Sequence, residues 1–313
     1  MTKNMKPTPS GSLKLLAHLG AIVTISCWGA SFVSTKVLME QGGFTPIEMF
    51  VYRFACAYVL MLLLTCNKRL LARNWRDELS FVACGVCAGS LYFITENYAL
   101  RHTTASNVSL LASISPIFTT LLLGVFYKMK IKGGVIIGSV IAFIGVGFVV
   151  MSGSADGLEI HPLGDMLALS AALSWGLYSI VVKRLIPLYN SFFITRKLFL
   201  YGVLTGLPLL LSQQEPYHFL ELFDLTHPEY VSNFAFLVLM CSVVSYLIWN
   251  EAMKALGSVT ANNYLYGQPI ITMIIGVSAL GEPLTLMGCL GCVLIIGGLV
   301  VSDKLDLTRL RRG

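Results

Sequence analysis

The chain has 313 residues, of which 56% are hydrophobic and 12% are charged, and its mean hydropathy is +0.75. Soluble domains are about 45–50% apolar and about 25% charged, so this composition excludes an ordinary soluble fold. At about 20 residues for each membrane span, the chain has room for about ten spans and none for a soluble catalytic domain. Whether the net charge of +6 favours a nucleic-acid partner depends on where the basic residues lie.

Hydropathy predicts ten apolar spans that are joined mostly by short loops. The first apolar run is too long for a cleaved signal peptide, so we expect it to remain as a span. The second begins at Thr45-Pro46-Ile47-Glu48, a capping box with proline at the first helical position. The predicted spans are residues 15–38, 46–66, 79–100, 104–127, 132–152, 163–186, 190–211, 233–255, 258–280 and 284–302.

The basic residues predict the orientation of these spans. With the N-terminus inside, every Lys and Arg except Lys36, Arg53 and Arg101 falls on an inner segment, as the positive-inside rule requires. Acidic residues such as Asp156 and Glu159 fall on the opposite side. Both termini are therefore expected in the cytoplasm of a plasma membrane, with a bacterial inner membrane favoured. The positive charge then marks topology, and no nucleic-acid partner is expected.

The chain repeats itself. Trp28-Gly29 recurs as Trp175-Gly176 at an offset of 147 residues, and the segment 97–116 matches 250–269 at an offset of 153. Each copy contains five predicted spans, so the second copy must cross the membrane in the opposite direction. Inverted repeats of this kind are typical of secondary transporters, which bind their substrate near the midplane between the two halves.

These observations predict an all-α integral membrane protein with ten transmembrane helices in two inverted five-helix repeats. The expected segments are a cytoplasmic tail (1–14), a first repeat (15–152), an external linker (153–162), a second repeat (163–303) and a basic cytoplasmic tail (304–313). The glycine-rich stretches 133–147 and 288–298 are expected to pack spans 5 and 10 against their own halves or against a second copy. The oligomeric state stays open.

In this order, the motifs resemble the drug/metabolite transporter superfamily, and specifically its EamA-type members with ten helices. They are the two Trp-Gly pairs, an Asn-x-Ala-Leu/Met-Lys/Arg end to the third span of each repeat, Pro116 and Pro269 in the fourth, and Gly281-Glu282-Pro283 after the ninth. The first repeat departs from the pattern, with Tyr127-Lys128-Met129 at the Gly-Glu turn. The resemblance implies a central cavity lined by spans 1–4 and 6–9. It also implies transport, often outward, of small organic solutes such as amino acids and related metabolites.

Pro116 and Pro269 each lie near the middle of a span. Because proline lacks an amide hydrogen and clashes with the preceding turn, both helices are predicted to kink or open, and matched breaks point to a transporter site. Ordinary kinked packing is the alternative. The predicted cavity lining near these breaks is Trp28, Tyr92, Asn107, Ser115, Trp175, Tyr178, Asn262, Tyr266 and Gln268. Helix packing or interhelical hydrogen bonding is the alternative role for each of these side chains.

Ionisable residues inside the spans are informative because each costs about 2.5–3.5 kcal/mol at the bilayer centre. Arg53 and Glu96 are expected about 10 Å and about 8 Å below the outer surface, at 1.5 Å per helical residue. We hypothesise that they pair and act as a gate, a proton site or a reader of substrate charge; a static ion pair is the alternative. On the inner side, Glu251 with Arg196 and Lys197 forms a rough mirror image, which makes Glu251 a further candidate for a gate.

No cofactor or metal ion is expected. Both Cys-x-x-Cys pairs, at Cys84 and Cys289, lie in apolar glycine-rich segments and are interpreted as small packing residues. The sequence contains no phosphate-binding loop motif, which argues against ATP hydrolysis. The leading hypothesis is a secondary transporter, with a small solute and the lipid bilayer as its partners and with proton coupling through Glu96 left open. The alternatives are an intramembrane enzyme and a membrane assembly factor without transport activity.

Overall fold

The computed structural model describes residues 11–66, 69–103, 105–153, 161–279 and 285–304. Within these ranges all regular structure is helical. Seven helical stretches are long and apolar enough to cross a membrane, and two shorter apolar helices accompany them. The seven stretches are Gly11–Gln41, Pro46–Leu64, Trp75–His102, Asn107–Tyr127, Pro162–Leu185, Ser191–Ser212 and Pro228–Leu256. The chain is therefore a multi-pass membrane protein.

The helices follow one another with short connections. In chain order they are α1 (Gly11–Gln41), α2 (Pro46–Leu64), α3 (Trp75–Gly85), α4 (Tyr92–His102), α5 (Ala105–Ala112), α6 (Ser115–Tyr127), α7 (Gly133–Gly153), α8 (Pro162–Leu185), α9 (Ser191–Ser212), α10 (Pro228–Phe236), α11 (Ser245–Leu256), α12 (Ser258–Asn263), α13 (Gln268–Ala279) and α14 (Leu286–Lys304). The predicted Gly281-Glu282-Pro283 turn, Asp156, Glu159, and residues 1–10 and 305–313 of the two tails lie outside the described residues.

Local sequence explains where several helices begin. The predicted capping box opens α2: the Glu48 amide donates to Thr45 Oγ1 at 3.1 Å, and the Thr45 amide donates to Glu48 Oε2 at 2.9 Å. Asn74 caps α3 and Asn190 caps α9 through their side-chain oxygens, each accepting a backbone amide at 2.8 Å. These caps matter because the first amides of a helix have no partner within the helix itself.

Four of the helical connections are irregular in the middle of a long stretch. A π-helical segment, Val86–Leu91, joins α3 to α4, and a second one, Leu237–Val244, joins α10 to α11. A turn at residues 113–114 separates α5 from α6 just before Pro116. A 3-10 turn, Tyr264–Gly267, separates α12 from α13 just before Pro269. In such irregular segments some backbone N–H and C=O groups lose the hydrogen bond that a regular α-helix would give them, so these groups can bond to other side chains.

The helices α7 and α14 pack directly against each other. A Cβ atom on Gly138 would lie 2.4 Å from the carbonyl oxygen of Gly298, and a Cβ on Gly298 would lie 2.5 Å from that of Gly138. About two helical turns further along α7, a Cβ on Gly145 would lie 2.7 Å from the carbonyl oxygen of Gly291. The sequence analysis expected these glycines to pack each span against its own half or against a second copy. The structure corrects this expectation: equal glycine spacings on α7 and α14 let the backbones of these two helices cross closely.

We predict that Gly138→Ala destabilises the protein by about 1–3 kcal/mol, because the added methyl group has no space between two backbones. Gly147→Ala in the same helix is the matched control, since a Cβ there has no atom within 4 Å. Its better helix propensity should leave stability unchanged or slightly higher. Thermal unfolding of both variants in the same detergent measures the difference. Equal unfolding temperatures would contradict the close crossing of α7 and α14.

Candidate functional site

A narrow cavity lies where the two proline-interrupted helices meet α1, α2, α4, α8 and α11. Its lining is Trp28, Ser31, Phe32, Arg53, Tyr92, Phe93, Glu96, Ala112, Ser115, Trp175, Tyr246, Leu265 and Gln268. The centre of a water molecule can occupy about 20 Å³ of it, which is room for about one water. The walls are therefore nearly in contact, and a larger molecule enters only if helices or side chains move apart.

Seven of the residues that the sequence singled out line this cavity. Two are the charged pair, Arg53 and Glu96, and five come from α1, α4, α6, α8 and α13. These five are Trp28, Tyr92, Ser115, Trp175 and Gln268. Pro116 and Pro269 each follow one of them directly in the chain, so the helix interruptions set the positions of Ser115 and Gln268 at the cavity.

Four other predicted lining residues are buried just outside the cavity. Asn262 Oδ1 accepts the Trp175 indole N–H at 2.8 Å, and the Tyr178 hydroxyl donates to Asn250 Oδ1 at 3.3 Å. The Asn107 amide donates to Thr103 Oγ1 at 3.1 Å. The Tyr266 hydroxyl has no hydrogen-bond partner among the described residues. Asn262 therefore acts on the cavity through Trp175, because its hydrogen bond fixes the orientation of that indole.

Aromatic rings form most of the cavity wall. The Trp28 ring lies 5.1 Å from the Trp175 ring, 5.4 Å from Tyr246 and 5.0 Å from Trp249, measured between centroids. The Tyr92 ring lies 5.4 Å from that of Trp175. Edge-to-face and tilted contacts at these separations are favourable. The cluster closes the space between α1, α8 and α11 without using a charge.

The two π-helical segments supply carbonyl oxygens to side chains from distant helices. The Trp28 indole N–H donates to the Cys241 carbonyl at 2.8 Å. The Ser174 hydroxyl donates to the Cys87 carbonyl at 2.6 Å, and the Tyr246 hydroxyl donates to that of Ala88 at 3.3 Å. A π-turn shifts the backbone hydrogen-bond register and is frequently found at functional sites. Here it lets helices from both ends of the chain bind each other beside the cavity.

Arg53 and Glu96 are both buried in the cavity, with 3% and 5% of their surfaces exposed. Arg53 donates from Nε to Ser242 Oγ at 2.7 Å, and its guanidinium lies 4.7 Å from the centroid of the Phe93 ring. Glu96 Oε2 has no hydrogen-bond partner in the described part of the chain. Arg53 and Glu96 therefore line the same cavity as opposite charges, but within the described residues no ion pair joins them.

Glu251 does not join the basic residues that were expected to mirror Arg53. Its side chain is 57% exposed, lies 3.6 Å from Lys254 Nζ, and accepts the Ser191 hydroxyl at 2.6 Å. Glu251 lies outside the central cavity, on a separate groove at the end of the helices where α8 turns into α9. The mirror-image expectation is corrected here, because Glu251 bonds Ser191 at the start of α9 and lies beside Lys254, whereas Arg196 and Lys197 have other partners.

The basic residues of α9 bind partners in the first part of the chain instead. Lys197 is buried and forms an ion pair with Glu78, which also accepts the Tyr201 hydroxyl. Arg196 donates to Thr65 Oγ1 at 2.8 Å. Sequence reasoning missed Glu78 because it stands just before the predicted third span and resembled an ordinary loop residue. Its place in the first turn of α3 turns it toward α9.

A second carboxylate that sequence reasoning treated only as a helix cap is fully buried at the opposite end of the helices. Glu48 has 0% exposure and accepts the Tyr52 hydroxyl at 3.0 Å and the His218 backbone amide at 2.8 Å. The His218 ring nitrogen Nδ1 lies 3.2 Å from Glu48 Oε2. Glu48 therefore anchors the segment between α9 and α10 onto the start of α2.

Sequence reasoning also missed Phe93 and Ser242, both in contact with Arg53, and four cavity-lining residues, Ser31, Phe32, Ala112 and Leu265. Phe93 lies three residues before Glu96, so helical spacing alone places it on the same face. Ser242 carries no such signal, because it approaches Arg53 only through the π-helical turn in which it lies. Its hydroxyl also donates to the Leu237 carbonyl at 2.9 Å.

We predict that Glu78→Gln lowers stability by about 2–4 kcal/mol, because it leaves the Lys197 charge buried without its partner. Glu251→Gln is the matched control: the pair it removes is exposed, and the change should cost less than about 1 kcal/mol. Thermal unfolding of both variants in detergent gives the comparison. If Glu251→Gln were the more damaging change, the assignment of Lys197 to Glu78 would be wrong.

Comparison with known proteins agrees with this architecture. A model of the EamA-like transporter family matches residues 15–151 and 162–302. An uncharacterized transporter of Archaeoglobus fulgidus is 26% identical over 91% of this chain and 96% of its own length. A probable terminal-alkyne amino-acid exporter of Streptantibioticus cattleyicolor is 24% identical over 96% of this chain and 97% of its own.

A solved crystal structure covers 96% of this chain and 99% of its own chain with a TM-score of 0.73 at 18% sequence identity, which shows a shared fold. The segments that match the family model together span most of the chain. This multi-pass membrane transporter therefore belongs to the EamA-like transporter family.

Proposed function

We propose that the protein is a secondary transporter that exports small organic metabolites by alternating access, with amino acids and related compounds as its substrate class. The observation that carries the proposal is the central cavity, which combines an aromatic wall with two opposite buried charges, Arg53 and Glu96. Buried charges in a membrane protein are costly and mark solute or ion pathways. The name of the Streptantibioticus cattleyicolor relative supports amino acids and the outward direction.

The proposal includes ten spans arranged as two inverted repeats, with both termini in the cytoplasm of a bacterial inner membrane. Two observations support the two-repeat arrangement. The family model matches two successive segments of similar length, 15–151 and 162–302. Each segment contains one π-helical turn and one interruption before a proline. In transporters built from inverted repeats, such discontinuous helices form the binding site at the repeat interface.

The small free volume of the cavity fits an occluded step in such a cycle. The clusters around Glu48 and around Lys197 and Glu78 lie toward the two opposite ends of the helices, and each joins distant parts of the chain. Movement of one half against the other would open the centre toward one end while the contacts at the other end stay closed. The Trp28 and Ser174 hydrogen bonds to π-segment carbonyls lie between the helices that would separate.

Proton coupling through Glu96 is the energy source that we propose. A buried carboxylate oxygen without a hydrogen-bond partner is stabilised by a proton or by a cationic group. Among the described residues Glu96 Oε2 is such an atom, and Glu96 lines the cavity that a solute would enter. A proton bound there from the outside and released inside would drive the solute outward, with no ATP required.

We predict that cells producing the protein release at least one amino acid or related metabolite into the medium about tenfold faster than cells producing Arg53→Gln, because the variant lacks a buried cation in the cavity. Arg76→Gln is the matched control, since Arg76 is exposed and does not line the cavity. Comparison of exported and retained metabolites by mass spectrometry makes the measurement. If no solute differs between cells that produce the unmodified protein and cells without it, the exporter proposal is wrong.

We also predict that an imposed pH gradient accelerates solute efflux from proteoliposomes containing the unmodified protein, and that Glu96→Gln abolishes this acceleration. Solute exchange at a high solute concentration and without a gradient should remain measurable in the variant, because the amide keeps the size of the side chain and can still accept a hydrogen bond, but it cannot exchange a proton. Glu229→Gln changes an exposed carboxylate and serves as the control. A pH-gradient response that persists in Glu96→Gln would contradict coupling through this residue.

A further inference from the structure

The geometry points to a dipolar head group as the part of the solute that the cavity recognises: Arg53 binds its carboxylate and Glu96 binds its ammonium group. This inference rests on the proposed transport function and deepens it by naming the chemistry of the binding site. It assigns a separate role to each of the two buried charges. A solute with only one charge, an amine or a carboxylic acid, would then bind poorly.

The guanidinium of Arg53 keeps two nitrogen atoms available for a ligand. Its described hydrogen bond uses Nε and Ser242 Oγ, and Phe93 covers one face of the guanidinium. These two contacts hold the group in one orientation. The described residues place no hydrogen-bond acceptor on its two terminal nitrogens, Nη1 and Nη2, which form the side of the fork that binds a carboxylate through two parallel hydrogen bonds.

The carboxylate of Glu96 can accept the ammonium group of the same solute. Its Oε2 atom is buried and has no donor within the described residues. An ammonium group supplies three N–H donors and a positive charge, so it would satisfy this oxygen. Tyr92 and Trp175 line the same cavity, and an aromatic ring attracts a cation that meets its face. The surroundings of Glu96 therefore suit a primary ammonium better than a neutral or negative group.

The charges of Arg53 and Glu96 do not neutralise each other through a direct contact. Arg53 and Glu96 line the same cavity, yet in the part of the chain that the structure describes no ion pair joins them, because Arg53 turns to Ser242. A zwitterion bridges both charges at once. An amine leaves Arg53 unsatisfied and an acid leaves Glu96 unsatisfied, and a site with an unsatisfied buried polar group rejects a ligand strongly.

The test uses purified protein in detergent and measures the rise in unfolding temperature with ligand concentration. Each of the proteinogenic amino acids is a probe, and the one that binds best is compared with its decarboxylated amine and its deaminated acid. The expected result is that both analogues bind about 100-fold more weakly or worse. If the amine or the acid binds as well as the amino acid, or if no amino acid binds, the inference is overturned.

Two variants separate the roles of the charges. Glu96→Gln should reduce the preference for the amino acid over its deaminated acid, and Arg53→Gln should reduce the preference over its amine. The exposed controls Glu229→Gln and Arg76→Gln should retain both preferences. Arg53→Lys keeps the positive charge but loses the two parallel donors of the guanidinium. It should therefore weaken the binding of the amino acid and of the acid and leave the binding of the amine unchanged. If either glutamine variant shifts both preferences equally, the separate assignment fails.

Failure here can be distinguished from failure of the transport proposal. The measurement of metabolite release from producing cells detects an exported solute whatever its charge. If an exported solute is found that carries no ammonium or no carboxylate, transport stands and the dipolar assignment falls. If no solute is exported at all, the proposed function itself is wrong.

Discussion

Polar groups inside a bilayer have no water to bind, so each must find its partner within the protein. Regular helices meet this demand by themselves, but the centre of this chain departs from regularity at two π-helical segments and at the turns before Pro116 and Pro269. Trp28 and Ser174, which lie on distant helices, donate to carbonyl oxygens of the two π-helical segments. These hydrogen bonds join distant helices at the irregular segments.

Three groups of charged residues differ in how many hydrogen-bond or ionic partners they have. Glu48 has four donors or close partners around it, and Lys197 has a carboxylate. The pair at the centre differs: among the described residues, Arg53 contacts one serine hydroxyl and one aromatic ring, and one oxygen of Glu96 has no hydrogen-bond partner. Incomplete satisfaction at the centre, between satisfied clusters toward the two ends, is what a site reserved for a solute requires.

Much of this arrangement could be predicted from the sequence, where the signal is local. The capping box at Thr45, the breaks before both prolines, and the positions of Arg53 and Glu96 follow from residue type and helical rise. The crossing of α7 with α14 and the Lys197–Glu78 pair could not be predicted, because they depend on how each helix is rotated about its axis. The π-helical segments also escaped, since their residues carry no composition signal that distinguishes them from an α-helix.

The intrinsic fluorescence of the protein tests the central claim most directly. Three of its four tryptophans, Trp28, Trp175 and Trp249, lie at the central cluster, whereas Trp75 is 71% exposed. In Trp75→Phe, the emission reports the centre alone. The account predicts a saturable change in emission when a transported solute is added, with half-saturation near the KM for transport. An emission spectrum that stays constant while the solute saturates transport would contradict a binding site at this cavity.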